Sequence, residues 1–110
     1  ERGRPSSILA ARSRHRLLVD ALRQVELGDQ ELIEFYYWQG LTAREIAEIH
    51  KLKEETVRSR IRAALTRVGK IYAELERLPN AAQPDHDAVE GWMLELQAGL
   101  DQLHVERLGD

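Results

Sequence analysis

The amino-acid sequence predicts an all-α fold of about five helices. No segment alternates apolar and polar residues as a half-buried strand does, no Asn-Gly or Asp-Gly turn occurs, and only three prolines interrupt the chain. Of the 110 residues, 43% are hydrophobic and 32% are charged, a composition typical of one modest globular domain. This composition argues against a disordered chain, and no apolar run is long enough to cross a membrane.

The cysteine and histidine content and the absence of catalytic motifs argue against an enzyme and against a metal site. The chain has no cysteine, which excludes disulfides, thiolate zinc sites and cysteine nucleophiles, and which fits a reducing cytoplasm. Its four histidines are scattered, and no phosphate-binding loop, dinucleotide fingerprint or nucleophile elbow occurs. We therefore expect a binding protein that needs no cofactor.

The first helix is expected to begin after a short linker. Residues 1–6 contain glycine and proline, and Ser7 is a residue type that caps helices. Apolar side chains then recur at helical spacing as far as Val25, and Gly28 follows as a helix breaker. The first helix is thus predicted to run from Ser7 to about Val25.

A second helix is predicted between Asp29 and Gly40. Asp29 is a favoured N-cap type, Leu32, Phe35 and Tyr36 share one face, and Gly40 is a common residue at helix C-termini. Because the aromatic run in this helix follows helical spacing, we interpret it as core rather than as a platform for stacking bases.

The third helix has the strongest local signal in the sequence. Thr42 and Glu45 have the spacing of a capping box, while Leu41 and Ile46 have the spacing of a hydrophobic staple. These pairs predict a helix that is capped by Thr42, and the polar residues from His50 onward predict that it is short.

A longer basic helix is predicted to begin near Lys53 or Glu54 and to end at about Leu78. Its apolar positions follow one face: Val57, Ile61, Ala64, Leu65 and Val68. The opposite, exposed side carries Arg58, Ser59, Arg62 and Thr66. A short capped helix, a tight turn and a basic helix make a helix-turn-helix, here at about residues 42–70.

A final amphipathic helix is predicted after the prolines at positions 79 and 84. Asp87 and Glu90 have the spacing of a capping box. The apolar stripe of this helix is Val89, Trp92, Met93, Leu96, Leu100 and Leu103. Packing on its own domain is the default interpretation; docking on a partner and masking of the recognition surface by its acidic side are the alternatives.

Charge is distributed unevenly, although the formal net charge is −3. Residues 1–25 carry +4, residues 26–40 carry −4, residues 41–70 carry +4 and residues 71–110 carry −7. The helix-turn-helix segment is therefore locally cationic, and a local cationic surface attracts a polyanion such as DNA.

The central segment resembles a known family. Its motifs are Tyr36-Tyr37-Trp38-Gln39-Gly40-Leu41-Thr42, Glu45-Ile46-Ala47-Glu48-Ile49 and Thr56-Val57-Arg58-Ser59-Arg60-Ile61. Together these are similar to region 4 of bacterial extracytoplasmic-function (ECF) sigma factors. The resemblance implies a cytoplasmic domain that binds double-stranded promoter DNA at the −35 element and docks on the β flap of RNA polymerase, with an anti-sigma factor as a further candidate partner.

The resemblance also divides the chain into three parts. Residues 1–14 would be the end of a linker from an upstream region 2 domain, residues 15–78 the helix-turn-helix domain, and residues 79–110 a linker and an acidic C-terminal helix. Because the sequence starts at Glu1 and lacks a signal-peptide pattern, we expect an upstream part to be missing.

By the same resemblance, the DNA contacts lie on the basic helix. The predicted set is Lys53, Glu55, Thr56, Arg58, Ser59, Arg60 and Arg62. Arg60 lies off the centre of the exposed side, so it could bind a phosphate or pair with an acid of a neighbouring helix. Arg44 and Lys51 are candidates for contacts to the DNA backbone only.

The sequence departs from the family pattern at several positions. Lys51 stands where the family commonly has a turn glycine, Lys53 where it has a capping serine, Glu55 where it has a second glycine, and Ala63 where it has an arginine. These departures predict a strained turn, a weak cap and the loss of one phosphate contact.

Two other functions fit parts of the pattern. A response-regulator effector domain of the LuxR type has similar motifs, but commonly carries Lys-x-His where this chain has Arg58-Ser59-Arg60. The departures and the acidic tail are also consistent with an interaction module that kept the fold and lost DNA binding.

Overall fold

The computed structural model describes the backbone of residues 3–109 and the side chains of residues 13–79 and 81–98. The described chain contains five α-helices and no strand, which confirms the predicted fold class. The helices are α1 (Gly3–Leu22), α2 (Leu27–Ile33), α3 (Ala43–His50), α4 (Glu54–Glu76) and α5 (His86–Gly109). A π-helical turn (Glu34–Trp38) continues α2, and a short 3₁₀ turn (Asn80–Ala82) precedes α5.

Helix α4 is the centre of the domain and contacts each of the other four helices. Each helix contributes at least one almost fully buried side chain to a common core, for example Leu18, Leu32, Ile46, Val57 and Met93. All five apolar positions predicted for α4 are buried. Burying each large apolar side chain stabilises the fold by roughly 1.5–3 kcal/mol.

The first helix is longer at its start and shorter at its end than predicted. It begins at Gly3, so the expected linker conformation of residues 1–6 and the expected start at Ser7 are wrong for the described residues. Pro5 fits because backbone N–H groups of a first helical turn have no intrahelical acceptor. The helix ends at Leu22 rather than near Val25.

The predicted boundary between the first two helices is also wrong. Helix α2 begins at Leu27, so Gly28 lies inside its first turn and Asp29 is not its cap. Glu26 occupies the N-cap position without a side-chain hydrogen bond. The connection is closed by the Gln30 side-chain amide, which donates to the carbonyls of Arg23 (3.2 Å) and Val25 (2.9 Å).

The π-helical turn changes which aromatic side chains face the core. The backbone N–H of Gln39 donates to the carbonyl of Glu34, five residues earlier, at 3.0 Å. This extra residue per turn buries Tyr37 and leaves Tyr36 38% exposed, so the predicted inward orientation of Tyr36 is wrong. The predicted end of the helix at Gly40 is confirmed by a φ of 69° at this residue.

The last helix packs on its own domain through its first turns. Its cap is Asp85, whose Oδ1 accepts the backbone N–H of Ala88 at 2.9 Å, so the predicted capping box of Asp87 and Glu90 is wrong. Val89 and Met93 are fully buried, which confirms the self-packing interpretation for these two positions. The predicted stripe residues at positions 100 and 103 lie outside the described side chains.

Among the described helices, none combines the length and the apolar character that a membrane-spanning helix needs.

Candidate nucleic-acid interface

The capping box fixes the start of α3. Thr42 Oγ1 accepts the backbone N–H of Glu45 at 3.1 Å, and Glu45 Oε1 accepts the backbone N–H of Thr42 at 2.8 Å. Ile46 is fully buried and Leu41 packs partly buried against the same core, as expected for a hydrophobic staple. These local interactions, all predicted from the sequence, fix where α3 begins and the angle at which the chain enters it.

The turn between α3 and α4 is strained. Lys51 has φ 56° and ψ 46°, a left-handed conformation that costs an L-residue with a side chain about 1–2 kcal/mol. The turn is held by the backbone N–H of Leu52, which donates to the carbonyl of Ala47 at 2.9 Å. The strain predicted from the missing turn glycine is thus confirmed.

The N-terminus of α4 lacks a side-chain cap. Lys53 occupies the N-cap position without a side-chain hydrogen bond, as its residue type predicts. Glu54 and Glu55 in the first turn place negative charge next to the positive end of the helix dipole, which stabilises the helix. Glu54 also forms an ion pair with Arg58, one turn later.

The exposed face of α4 is centred on Ser59. This residue lies about 200° around the helix from the fully buried Val57, and Arg58 and Arg60 lie about 100° to either side of Ser59. Of the predicted contact set, Thr56 is half-buried, and the exposed members are Lys53, Glu55, Arg58, Ser59, Arg60 and Arg62. The structure therefore places these residues on the solvent-facing half of α4 and at its N-cap, with Arg58 and Arg60 on opposite edges.

Arg60 lies on the edge of this face that points to α2. Its Nη2 donates to Asp29 Oδ1 at 3.5 Å, so it joins α4 to the first turn of α2. Of the two roles that the sequence leaves open for Arg60, this contact favours pairing with an acid of a neighbouring helix. Asp29, which the sequence predicts as a cap, is that acid.

Arg58 and Arg62 lie on the edge that points to α5. They line a cleft whose other wall includes the α5 side chains Asp87 and Glu90. Glu90 is held in place by Tyr37, whose hydroxyl donates to Glu90 Oε2 at 2.7 Å. Burial, the hydrogen bond and the charge of Glu90 raise the pKa of Tyr37 well above its ordinary value.

Apart from the acidity of the C-terminal segment, no pattern in the amino-acid sequence predicts this arrangement. Tyr37 and Glu90 are 53 residues apart, and only the packing of α5 brings them together. No group of three or more His, Asp or Glu residues that could hold a metal ion occurs among the residues with described side chains.

Comparison with known proteins identifies the segment that contains this face. Residues 15–68 match the family model described as sigma-70, region 4. The matched segment begins in α1, includes α2, α3 and the intervening turns, and ends within α4, so that α5 lies outside it. No curated protein and no solved structure matches the chain.

Proposed function

We propose, from the match of residues 15–68 to sigma-70 region 4, a family of DNA-binding domains of transcription, that the chain recognises the promoter −35 element in an ECF sigma factor. The proposed mechanism is binding without catalysis. Helix α3 supports α4, and the exposed face of α4 enters the major groove, which is wide enough for an α-helix. A protein with this role acts in the cytoplasm.

The observation that carries this proposal is the position of Ser59 and Arg62. Both side chains are exposed on a helix whose opposite face is buried in the core, so packing leaves this side of α4 available to a groove. Arg62 has the forked donors that suit guanine or phosphate, and Ser59 can donate to or accept from a base edge.

The remaining predicted contacts have different proposed roles. Lys53, Glu55 and Thr56 lie at the end of α4 that enters the groove first, and Glu55 can accept from the amino group of cytosine. Arg58 is proposed to bind a phosphate, in competition with its ion pair to Glu54. Arg60 is proposed to position α4 against α2 rather than to read DNA.

Docking on the β flap of RNA polymerase is the second part of the proposal. A groove lined by residues of α1, α2, the π-helical turn and α5 supports it, because half of its lining side chains are apolar and the rest are polar or charged. The apolar lining residues are Val19, Leu22, Trp38 and Leu96. Such a groove suits an apolar segment of a protein partner.

The two alternative functions, a LuxR-type effector domain and an interaction module, predict different binding behaviour. The family match is to sigma-70 region 4 and favours a sigma factor over a LuxR-type effector, whose dimers bind two-fold repeated sites. The strained Lys51 and the uncapped Lys53 are the observations that favour an interaction module without DNA binding, for example an anti-sigma docking surface. Such a module retains its protein partner in high salt and binds duplex DNA only at background.

The test is a selection from random duplex DNA with the full chain. We expect one short, non-repeated motif to be enriched, and Ser59→Ala to relax the preference at one or two positions of that motif. Arg16→Ala is the control, because Arg16 is exposed on α1 outside the helix-turn-helix. Absence of any enriched motif, both for wild type and for a variant without the charges of Asp87 and Glu90, would overturn the proposal, and a two-fold repeated motif would favour the LuxR-type function.

A further inference from the structure

Helix α5 is an integral part of the domain, although it lies outside the sigma-70 region 4 match. The rings of Trp92 and Tyr72 lie 4.9 Å apart between centroids, and the Arg14 guanidinium lies 5.5 Å from the Trp92 ring. Arg14 also forms an ion pair with Glu95 at 3.0 Å. The helix is thus joined to both α1 and α4.

The approach of α5 to α4 depends on a residue without a side chain. A Cβ atom at Gly69 would lie 2.4 Å from the carbonyl oxygen of Pro84 and 3.2 Å from Cγ2 of Val89. The first distance is too short for any side chain, so the segment before α5 can lie on α4 only because position 69 is glycine. The family match ends at Val68, one residue earlier.

This packing places negative charge beside the recognition helix. The acidic end of α5 (residues 86–90) carries Asp87 and Glu90, which line the same cleft as Arg58 and Arg62. Asp87 is 79% exposed, and Glu90 is fixed by its hydrogen bond to Tyr37. Neither carboxylate forms an ion pair with Arg58 or Arg62 among the described contacts; Asp87 Oδ1 lies 3.2 Å from Nε2 of its neighbour His86, and Glu90 accepts the Tyr37 hydroxyl.

We propose that the acidic end of α5 is a built-in inhibitor of DNA binding. Docked α5 presents Asp87 and Glu90 to the phosphates that Arg58 and Arg62 would bind, and like charges repel. Undocking of α5 removes this repulsion and raises affinity. This inference rests on the proposed function, because its readout is binding to the selected duplex.

Charge-only variants of the full chain test the inference. Glu90→Gln keeps an acceptor for Tyr37, and Asp87→Asn changes an exposed side chain, so the double variant retains the docked structure. We expect the double variant to bind the selected duplex about three- to tenfold more tightly at low salt, with a smaller gain at high salt. Glu74→Gln/Glu76→Gln is the control for net charge, since it also removes two negative charges and both residues are exposed on α4, about 18 Å or more from Arg62 along the helix.

Gly69→Ala tests the docking itself without changing any charge. The added methyl group must displace the Pro84 carbonyl, and we expect duplex affinity to rise. If circular dichroism shows that Gly69→Ala is unfolded, the folded Asp87→Asn/Glu90→Gln variant decides the question alone.

The outcomes separate the two proposals. Tighter binding by Asp87→Asn/Glu90→Gln but not by Glu74→Gln/Glu76→Gln supports the inhibitor. If wild type reads the selected motif and Asp87→Asn/Glu90→Gln binds no more tightly than Glu74→Gln/Glu76→Gln, the inhibitor is overturned and the proposed function stands. If neither the wild type nor Asp87→Asn/Glu90→Gln binds any duplex above background, both are overturned, because no masked affinity has been released.

Discussion

The hydroxyl of Tyr37 donates a 2.7 Å hydrogen bond to Glu90, which joins the π-helical turn before the helix-turn-helix to the helix that follows it. Tyr37 belongs to the core, where only 3% of its surface is exposed. The carboxylate that it holds lines the cleft beside Arg58 and Arg62. A single contact thus links the packing of the core to the charge next to the candidate DNA-binding face.

Removal of this hydroxyl is expected to destabilise the domain. Tyr37→Phe should lower the free energy of unfolding by about 1–2 kcal/mol, because it removes a hydrogen bond to a charged group that is only half-buried. Urea denaturation measures the change. Tyr36→Phe is the matched control, since Tyr36 is more exposed. Equal losses in the two variants would contradict a stabilising role for the contact.

The same contact predicts a loss of stability at alkaline pH. Burial and Glu90 raise the pKa of Tyr37 in the folded protein, so its contribution is complete below the unfolded pKa of about 10 and is lost as the pH rises above it. Burial also raises the pKa of Tyr72, but wild type and Tyr37→Phe both contain Tyr72, so its effect cancels in the comparison. Wild type should therefore lose more stability than Tyr37→Phe between neutral pH and pH about 11. Parallel curves would contradict this origin.

The strained turn predicts a stabilising substitution. Lys51→Gly should raise the free energy of unfolding by up to about 1 kcal/mol, because glycine adopts the left-handed conformation without a Cβ penalty. Thermal melting checks this. Lys51→Ala removes the same charge but keeps the Cβ atom and should give no such gain. If both variants behave alike, Lys51 is not strained.

The missing side-chain cap of α4 predicts a second stabilising substitution. Lys53→Ser should stabilise the domain by about 1 kcal/mol, because a serine hydroxyl can accept a free N–H of the first turn of α4. Lys53→Ala lacks this acceptor and serves as the control for charge and side-chain length. A denaturant titration that finds serine no better than alanine would mean that water already satisfies these N–H groups.

Arg60 is expected to matter for structure more than for DNA. The Arg60–Asp29 pair is partly exposed, so a double-mutant cycle of Arg60→Ala with Asp29→Asn should give a coupling of about 0.2–1 kcal/mol in unfolding free energy. Arg60→Ala should also weaken duplex binding less than Arg62→Ala does. A larger loss of affinity for Arg60→Ala, with no coupling to Asp29, would instead assign Arg60 to DNA.

Local signals in the sequence predicted the helix-turn-helix well. The Thr42–Glu45 capping box and the spacing of Val57 and Ile61 depend on residues three or four positions apart, so the sequence contains all that determines them. The strain at Lys51 and the missing cap at Lys53 could also be predicted, because turn and cap preferences depend on the residue type at a single position.

Features that depend on tertiary packing were missed. The π-helical turn rotates Tyr37 into the core, and no local pattern distinguishes it from an ordinary helix. Asp29 has the residue type of a cap but pairs with Arg60 of α4. The contact of Glu90 with Tyr37 depends on α5 crossing α4 at Gly69, a position where the sequence alone gives no reason for a glycine.

The most direct test of DNA reading by α4 is the salt dependence of duplex affinity. The dissociation constant of the full chain for the selected duplex would be measured across a salt series for wild type, Arg62→Ala and Arg16→Ala. We expect Arg62→Ala to bind more weakly and to reduce the logarithmic salt slope by about 1, as the loss of one phosphate contact does, while Arg16→Ala matches wild type. If Arg62→Ala and Arg16→Ala both match wild type in affinity and slope, α4 is not the DNA-binding element and the account is wrong.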